Sequence, residues 1–194
     1  MLTTRELDTD KVNSPGKFAH IVINTPQILA LKNWYTQVLG MRVVSENDLL
    51  CFLTYDDEHH RLALVNNPKL KQRPEKTAGI NHFAYTLSDL GSLLSSYMRL
   101  KKADILPWWC INHGPTTSMY YHDPDGNGVE LQVDNFDAEG GMQWMLSDRF
   151  KENPLGIEFD PEILVNKYKS GVAIAELLEQ GSAPKPTQQE TTTK

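Results

Sequence analysis

The chain has 194 residues, 40% of them hydrophobic and 23% charged, with a formal net charge of −6. That balance suits one globular domain of ordinary size and is too short for several. The acidic balance, with Lys69, Lys71 and Arg73 as its main basic cluster, argues against nucleic acid or an anionic membrane as partner, and no stretch nears the roughly 20 apolar residues that span a bilayer.

Residues 1–16 are polar and end in Ser14-Pro15-Gly16, which reads as a flexible leader without the apolar run of a signal peptide. Cys51 and Cys110 stand singly, with no CxxC, so a reducing cytoplasmic setting is expected. Residues 18–25 alternate around His20 as a half-buried strand, and residues 26–39 then show helical spacing up to the stop at Gly40. Three strand-like runs follow, at 41–45, 49–54 and 61–65. The pattern then repeats 62 residues on. His82 takes the place of His20 in a strand over 80–87, a helix follows over 87–100 with Tyr97 matching Tyr35, and strands follow at 105–111, 118–122 and 128–133.

The fold class is therefore α+β: two βαβββ modules, residues 17–68 and 79–136 of a 17–136 domain, forming one open half-barrel around a site. Residues 137–180 form a helical C-terminal extension, with one helix over 138–150, a breaker at 153–156, and a second helix opening at Asp160-Pro161. The extension is expected to pack on the barrel or on a partner subunit. Residues 181–194, rich in Pro, Thr and Gln, are expected to be disordered.

The segment from Tyr120 to Leu131 carries the densest chemistry. Asp123-Pro124-Asp125-Gly126 is a tight turn, so a hairpin joins Tyr120 to Glu130. On the returning strand Val129, Leu131 and Val133 share one face, and Glu130 shares the other with Gln132. An inward carboxylate is costly unless it meets a cation. His20, His82 and Glu130 on the inner faces of matching strands supply two imidazoles and one carboxylate, the donor set of non-haem Fe(II) sites with open positions. The first module's counterpart of Glu130 falls near residues 63–65, which are apolar, so no fourth donor is evident.

The paired modules, the matching histidines and the DPDGN turn before the glutamate resemble the vicinal oxygen chelate superfamily, which includes glyoxalase I and the bleomycin-resistance proteins. Within it the chain is most similar to extradiol ring-cleaving dioxygenases of the catechol and biphenyl-diol kind. His60-Arg61-Leu62-Ala63 has the form of their H-x-x-A strand, His113-Gly114 matches their histidine and glycine before the last hairpin, and Tyr120 lies ten residues before the glutamate, as theirs does. The resemblance implies His60 as acid/base and His113 and Tyr120 as groups that hydrogen-bond the substrate. It implies Fe(II), with Mn(II) as the alternative ion, and an aromatic diol and O2 as substrates. Single module pairs of this kind often dimerise, which leaves a homodimer as a candidate assembly.

Each residue also has a plainer reading. His60 beside His59 and Asp56-Asp57-Glu58 suits an exposed turn, His113 suits a cap on the Gly114-Pro115 turn, and Tyr120 suits strand packing. Trp108 and Trp109 are expected as an aromatic wall for the substrate, although strand alternation places at least one of them in the core. His122, outside the motif, reads as surface. Two other functions fit the fold, a glyoxalase-like metal-dependent lyase or isomerase and a non-catalytic protein that binds a hydrophobic ligand.

Overall fold

The structure, a computed structural model, describes residues 10, 12–71, 74 and 77–186. Most of the expected leader, Arg73 of the basic cluster and the end of the tail lie outside the described residues. The first module runs β1 (Ile21–Thr25), α1 (Ile28–Leu39), β2 (Arg42–Glu46), β3 (Leu50–Thr54) and β4 (Leu62–Asn66). The second runs β5 (His82–Thr86), α2 (Leu90–Lys102), β6 (Trp109–Asn112), β7 (Thr116–His122) and β8 (Gly128–Asp134). After it come α3 (Ala138–Leu146), α4 (Asp148–Glu152), β9 (Ile157–Glu158), α5 (Pro161–Lys169) and α6 (Ile174–Leu177). No helix among the described residues is long and apolar enough to cross a membrane.

Each module forms an open sheet, ordered β1-β4-β3-β2 and β5-β8-β7-β6-β9, in which the first strand runs parallel to the last and the others pair antiparallel. The repeat is preserved in the register, with an offset of 62 residues at the first strand of each module and 67 at the last. Val22 pairs with Ala63 in one sheet, and its counterpart Ala84 pairs with Glu130 in the other. Ala63 is therefore the structural equivalent of Glu130, as the apolar 63–65 run implied.

Helical spacing puts Leu31, Trp34, Tyr35 and Val38 of α1, and Leu90, Leu93, Leu94, Tyr97 and Leu100 of α2, on buried faces. They pack against Ile23, Leu62 and Leu64 of the first sheet and Val129, Leu131 and Val133 of the second in one continuous core. Burying a side chain of this size stabilises by about 1.5–3 kcal/mol. The remaining alternate residues, Glu130 and Tyr120 among them, occupy the face away from the helices. The modules are tied together by Tyr35, whose hydroxyl donates to Asp123 Oδ2 at 3.0 Å, and by Gln27, whose Nε2 donates to the Pro124 carbonyl at 3.0 Å and to Asp125 Oδ1 at 2.6 Å.

The structure departs from the sequence reading in the extension. The helix expected over 138–150 is two, because Ser147 is extended (ψ 161°), closes α3 with its N–H on Trp144 O and opens α4 by accepting from Phe150 N. Strand β9, unforeseen in the sequence, pairs with β6. Residues 181–186, expected to be disordered, instead dock: Ala183 is fully buried, Asp160 N donates to its carbonyl, and Pro184 bridges to Phe159.

Candidate active site

In the second module the register assembles most of the expected residues. His82 opens β5 and Glu130 lies in mid β8 on the same face, with His82 Nε2 3.0 Å from Glu130 Oε2. Gly128 makes this approach feasible, since a Cβ there would stand 2.5 Å from Asn81 O and 3.0 Å from His82 Cβ. Asn81 Oδ1 lies 2.7 Å from His82 Nδ1 and accepts its proton. In the neutral ring Nε2 then turns a lone pair toward a carboxylate oxygen, and Glu130 is only 4% exposed. Two acceptors facing each other beside a buried carboxylate favour a cation or a proton between them. The donor chemistry of this pair thus fits a divalent metal ion, with Asn81 as the outer partner that orients the imidazole.

Tyr120 pairs directly with Glu130 across β7 and β8 and is buried. Burial first, and then the Glu130 charge, hold its phenol well above the ordinary tyrosine value, so it is a proton donor at neutral pH. His113, just beyond β6, has its Nε2 2.9 Å from the Tyr120 hydroxyl and its Nδ1 2.6 Å from the Leu155 carbonyl. The Tyr120 ring also touches His82 (centroids 5.1 Å), Trp109 (5.0 Å) and Trp108 (5.7 Å).

Neither tryptophan is in the core, contrary to the alternation argument. Trp108 precedes the first residue of β6, is 53% exposed, and leans to the same side as Trp109. It also stacks on His122 (5.2 Å, 6° between planes), which is surface-exposed as expected yet shares the face of Tyr120.

His20 and His60 lie in the first module. Parallel pairing of Ile21 with Leu62 sets residues 20 and 61 side by side, and the His20 and His60 rings tilt together at 4.3 Å. Arg61 fixes this corner by donating to the Phe18 and Ala19 carbonyls at 2.6 and 3.0 Å while its guanidinium grips Asp56. His60 Nδ1 lies 2.5 Å from His59 Nδ1. Desolvation, and then His20 and His59, hold the His60 imidazole below its ordinary value, which favours the neutral, proton-accepting form. The structure therefore brings His82 together with Glu130, Tyr120 and His113, and His20 together with His60. Among the described residues no three His, Cys, Asp or Glu side chains are grouped closely enough to hold a metal ion.

Asn81, Gly128 and the Leu155 carbonyl were missed by the sequence reading. Asn81 adjoins a candidate ligand and was visible; the other two act through backbone geometry. A cavity of about 680 Å³ also opens beside the edge strands β1 and β5, lined by Phe18, Ile21, Tyr55, Phe83 and Tyr85, and none of the expected site residues lines it.

Residues 17–131 match the profile of the Glyoxalase/Bleomycin resistance protein/Dioxygenase superfamily. The chain belongs to that superfamily. It is 44% identical over 160 residues to biphenyl-2,3-diol 1,2-dioxygenase 2 of Rhodococcus globerulus, covering 81% of this chain and 84% of the relative. It is 43% identical over 175 residues to biphenyl-2,3-diol 1,2-dioxygenase 3 of the same organism, covering 89% and 92%. Among solved structures, a glyoxalase/dioxygenase from Nostoc punctiforme (TM-score 0.51, 23% identity) covers 66% of this chain and 99% of its own. A lactoylglutathione lyase from Agrobacterium tumefaciens (0.52, 18%) covers 62% and 96%. These two establish the fold alone.

Proposed function

We propose that this member of the superfamily is an Fe(II)-dependent extradiol dioxygenase that cleaves an aromatic vicinal diol with O2. The observation that carries the reading is the asymmetry between the modules: Glu130 sits beside His82 in one, and Ala63 takes the equivalent place in the other. A lyase of the glyoxalase type would use a fourth protein donor where Ala63 stands. The near full-length likeness to two biphenyl-diol dioxygenases supports the same choice.

His82 and Glu130, with His20 from the first module, would hold the iron, which when bound supplies diol chelation and O2 activation. The remaining work falls to the protein. His60, kept neutral, accepts the diol proton and can return it to the leaving oxygen. Tyr120, kept protonated, and His113, hydrogen-bonded to its hydroxyl, act as a pair where negative charge develops on the substrate oxygens. Trp108 and Trp109 form an apolar wall that excludes water beside Tyr120.

The test is oxygen uptake with 2,3-dihydroxybiphenyl and catechol on chain carrying verified iron. Glu130→Ala is expected to lose both metal and turnover. His60→Ala is expected to keep metal and lose about 100- to 10,000-fold in rate. Unchanged metal in the first variant, or no uptake by the iron-loaded parent across a panel of diols, refutes the reading.

A further inference from the structure

The C-terminal extension lies outside residues 17–131, the segment matched by the superfamily profile, which gives it no role. Three contacts bind it to the corner that carries His113. Strand β9 pairs with the edge strand β6, aligning Ile157 with Asn112. At Gly156 (φ 101°) the backbone comes so near that a Cβ would stand 2.2 Å from Asn112 O and 2.6 Å from His113 Cα, an approach that only glycine permits. At Gly114 (φ 100°) a Cβ would stand 2.0 Å from Trp144 Nε1 of α3.

This close docking carries the Leu155 carbonyl to 2.6 Å from His113 Nδ1. Asn153 braces the loop, its Nδ2 donating to Gly156 O at 2.8 Å and its Oδ1 accepting from Gly156 N at 3.0 Å. A carbonyl can only accept, so Nδ1 carries the proton and Nε2 of the neutral ring is left as an acceptor. That Nε2 can then only accept from the Tyr120 hydroxyl, 2.9 Å away, which also faces the Glu130 carboxylate. One tautomer of the neutral ring is thereby selected from outside the two modules.

We propose that the extension is a positioning element of the active site: the Leu155 carbonyl, delivered by Gly156 and Asn153, locks His113 in its Nδ1–H tautomer and so aims Nε2 at Tyr120. Without that bond the ring can present an N–H to Tyr120 instead, which turns the phenol from donor to acceptor and removes the order of the hydrogen-bonded chain. The extension then serves the dioxygenase reaction directly. This rests on the proposed activity for its consequence, though not for its geometry.

The experiment is a long-range 15N–1H correlation spectrum of the histidines in the full-length chain before iron is added, with His113 assigned by its loss in His113→Gln. The wild-type ring is expected to be Nδ1-protonated with an acceptor Nε2, and finding Nε2 protonated overturns the proposal. Gly156→Ala, and the milder Asn153→Ala, are expected to shift His113 toward the other tautomer. Both should lower kcat about 10- to 100-fold, the range for loss of an orienting partner, with smaller changes in KM and in iron content. Loss of the Nδ1–H tautomer with kcat unchanged also overturns it. If no diol supports oxygen uptake, the reading of the activity fails, while the wild-type tautomer still decides this inference.

Discussion

Replacing Gly128 by alanine adds one methyl group where the structure has no room for it. The new Cβ would sit 2.5 Å from the Asn81 carbonyl oxygen and 3.0 Å from His82 Cβ, and both neighbours belong to the start of a paired strand rather than to a flexible side-chain end. To restore ordinary contact, β5 and β8 must part by roughly 1 Å, the scale at which misplacing a reacting group costs on the order of 100-fold in rate. Overpacking of this kind costs about 1–3 kcal/mol, against about 0.5–1 kcal/mol gained when alanine replaces glycine within a strand. The balance is a loss centred at about 1 kcal/mol and reaching about 2.5 kcal/mol, and each kcal/mol lowers Tm by about 2–4 °C in a chain of this size. The assay pairs thermal unfolding with Fe(II) affinity measured by competition with a chelator. The variant should melt lower and hold iron less tightly, because His82 moves relative to Glu130. A Gly128→Ala protein that melts with the parent and binds iron as tightly would refute the argument that this glycine sets the His82–Glu130 distance.

Tyr35→Phe takes a donor from the buried Asp123 carboxylate that ties the modules together, and should cost about 1–3 kcal/mol in urea unfolding; an unchanged midpoint would show that the tie is dispensable. The Asp56 carboxyl is held down from 3.8 to about 2, chiefly by its hydrogen bonds to Arg61. Its folded value is the depressed one, so its contribution is complete above about pH 4 and is lost as pH falls toward 2; Arg61→Ala should remove that part of the acid-unfolding curve. Burial pushes the Cys110 thiol up to about 12, so a thiol alkylating agent at pH 8 should leave it unmodified until denaturant is added. Trp108→Ala should raise KM roughly 2- to 12-fold for a diol bearing a second aromatic ring, the worth of one aromatic contact, as read from initial rates.

Much of the architecture is written in local pattern. The period of two around His82 and Glu130, the helical spacing that buries Tyr35 and Tyr97, and the 62-residue repeat each depend on neighbours close in sequence, so the sequence by itself determined two βαβββ modules and the face on which Glu130 lies. The same alternation failed for Trp108, because that residue stands ahead of its strand, and for the helix through Ser147, because a serine that caps two helices at once looks like any polar helical residue.

Tertiary structure decided everything that depends on pairing between distant strands. Parallel register set His20 beside His60, which does not follow from spacing along the chain, and fixed Ala63 within the apolar 63–65 run as the residue in the place that Glu130 holds in the other module. The role of residues 153–158 was equally hidden. The group that meets His113 is a backbone carbonyl, which every residue possesses, and what brings it there is the missing side chain of Gly156. Side-chain identity marks which groups can do chemistry, whereas close approach of backbone, present in every sequence alike, is visible only once the chain has folded.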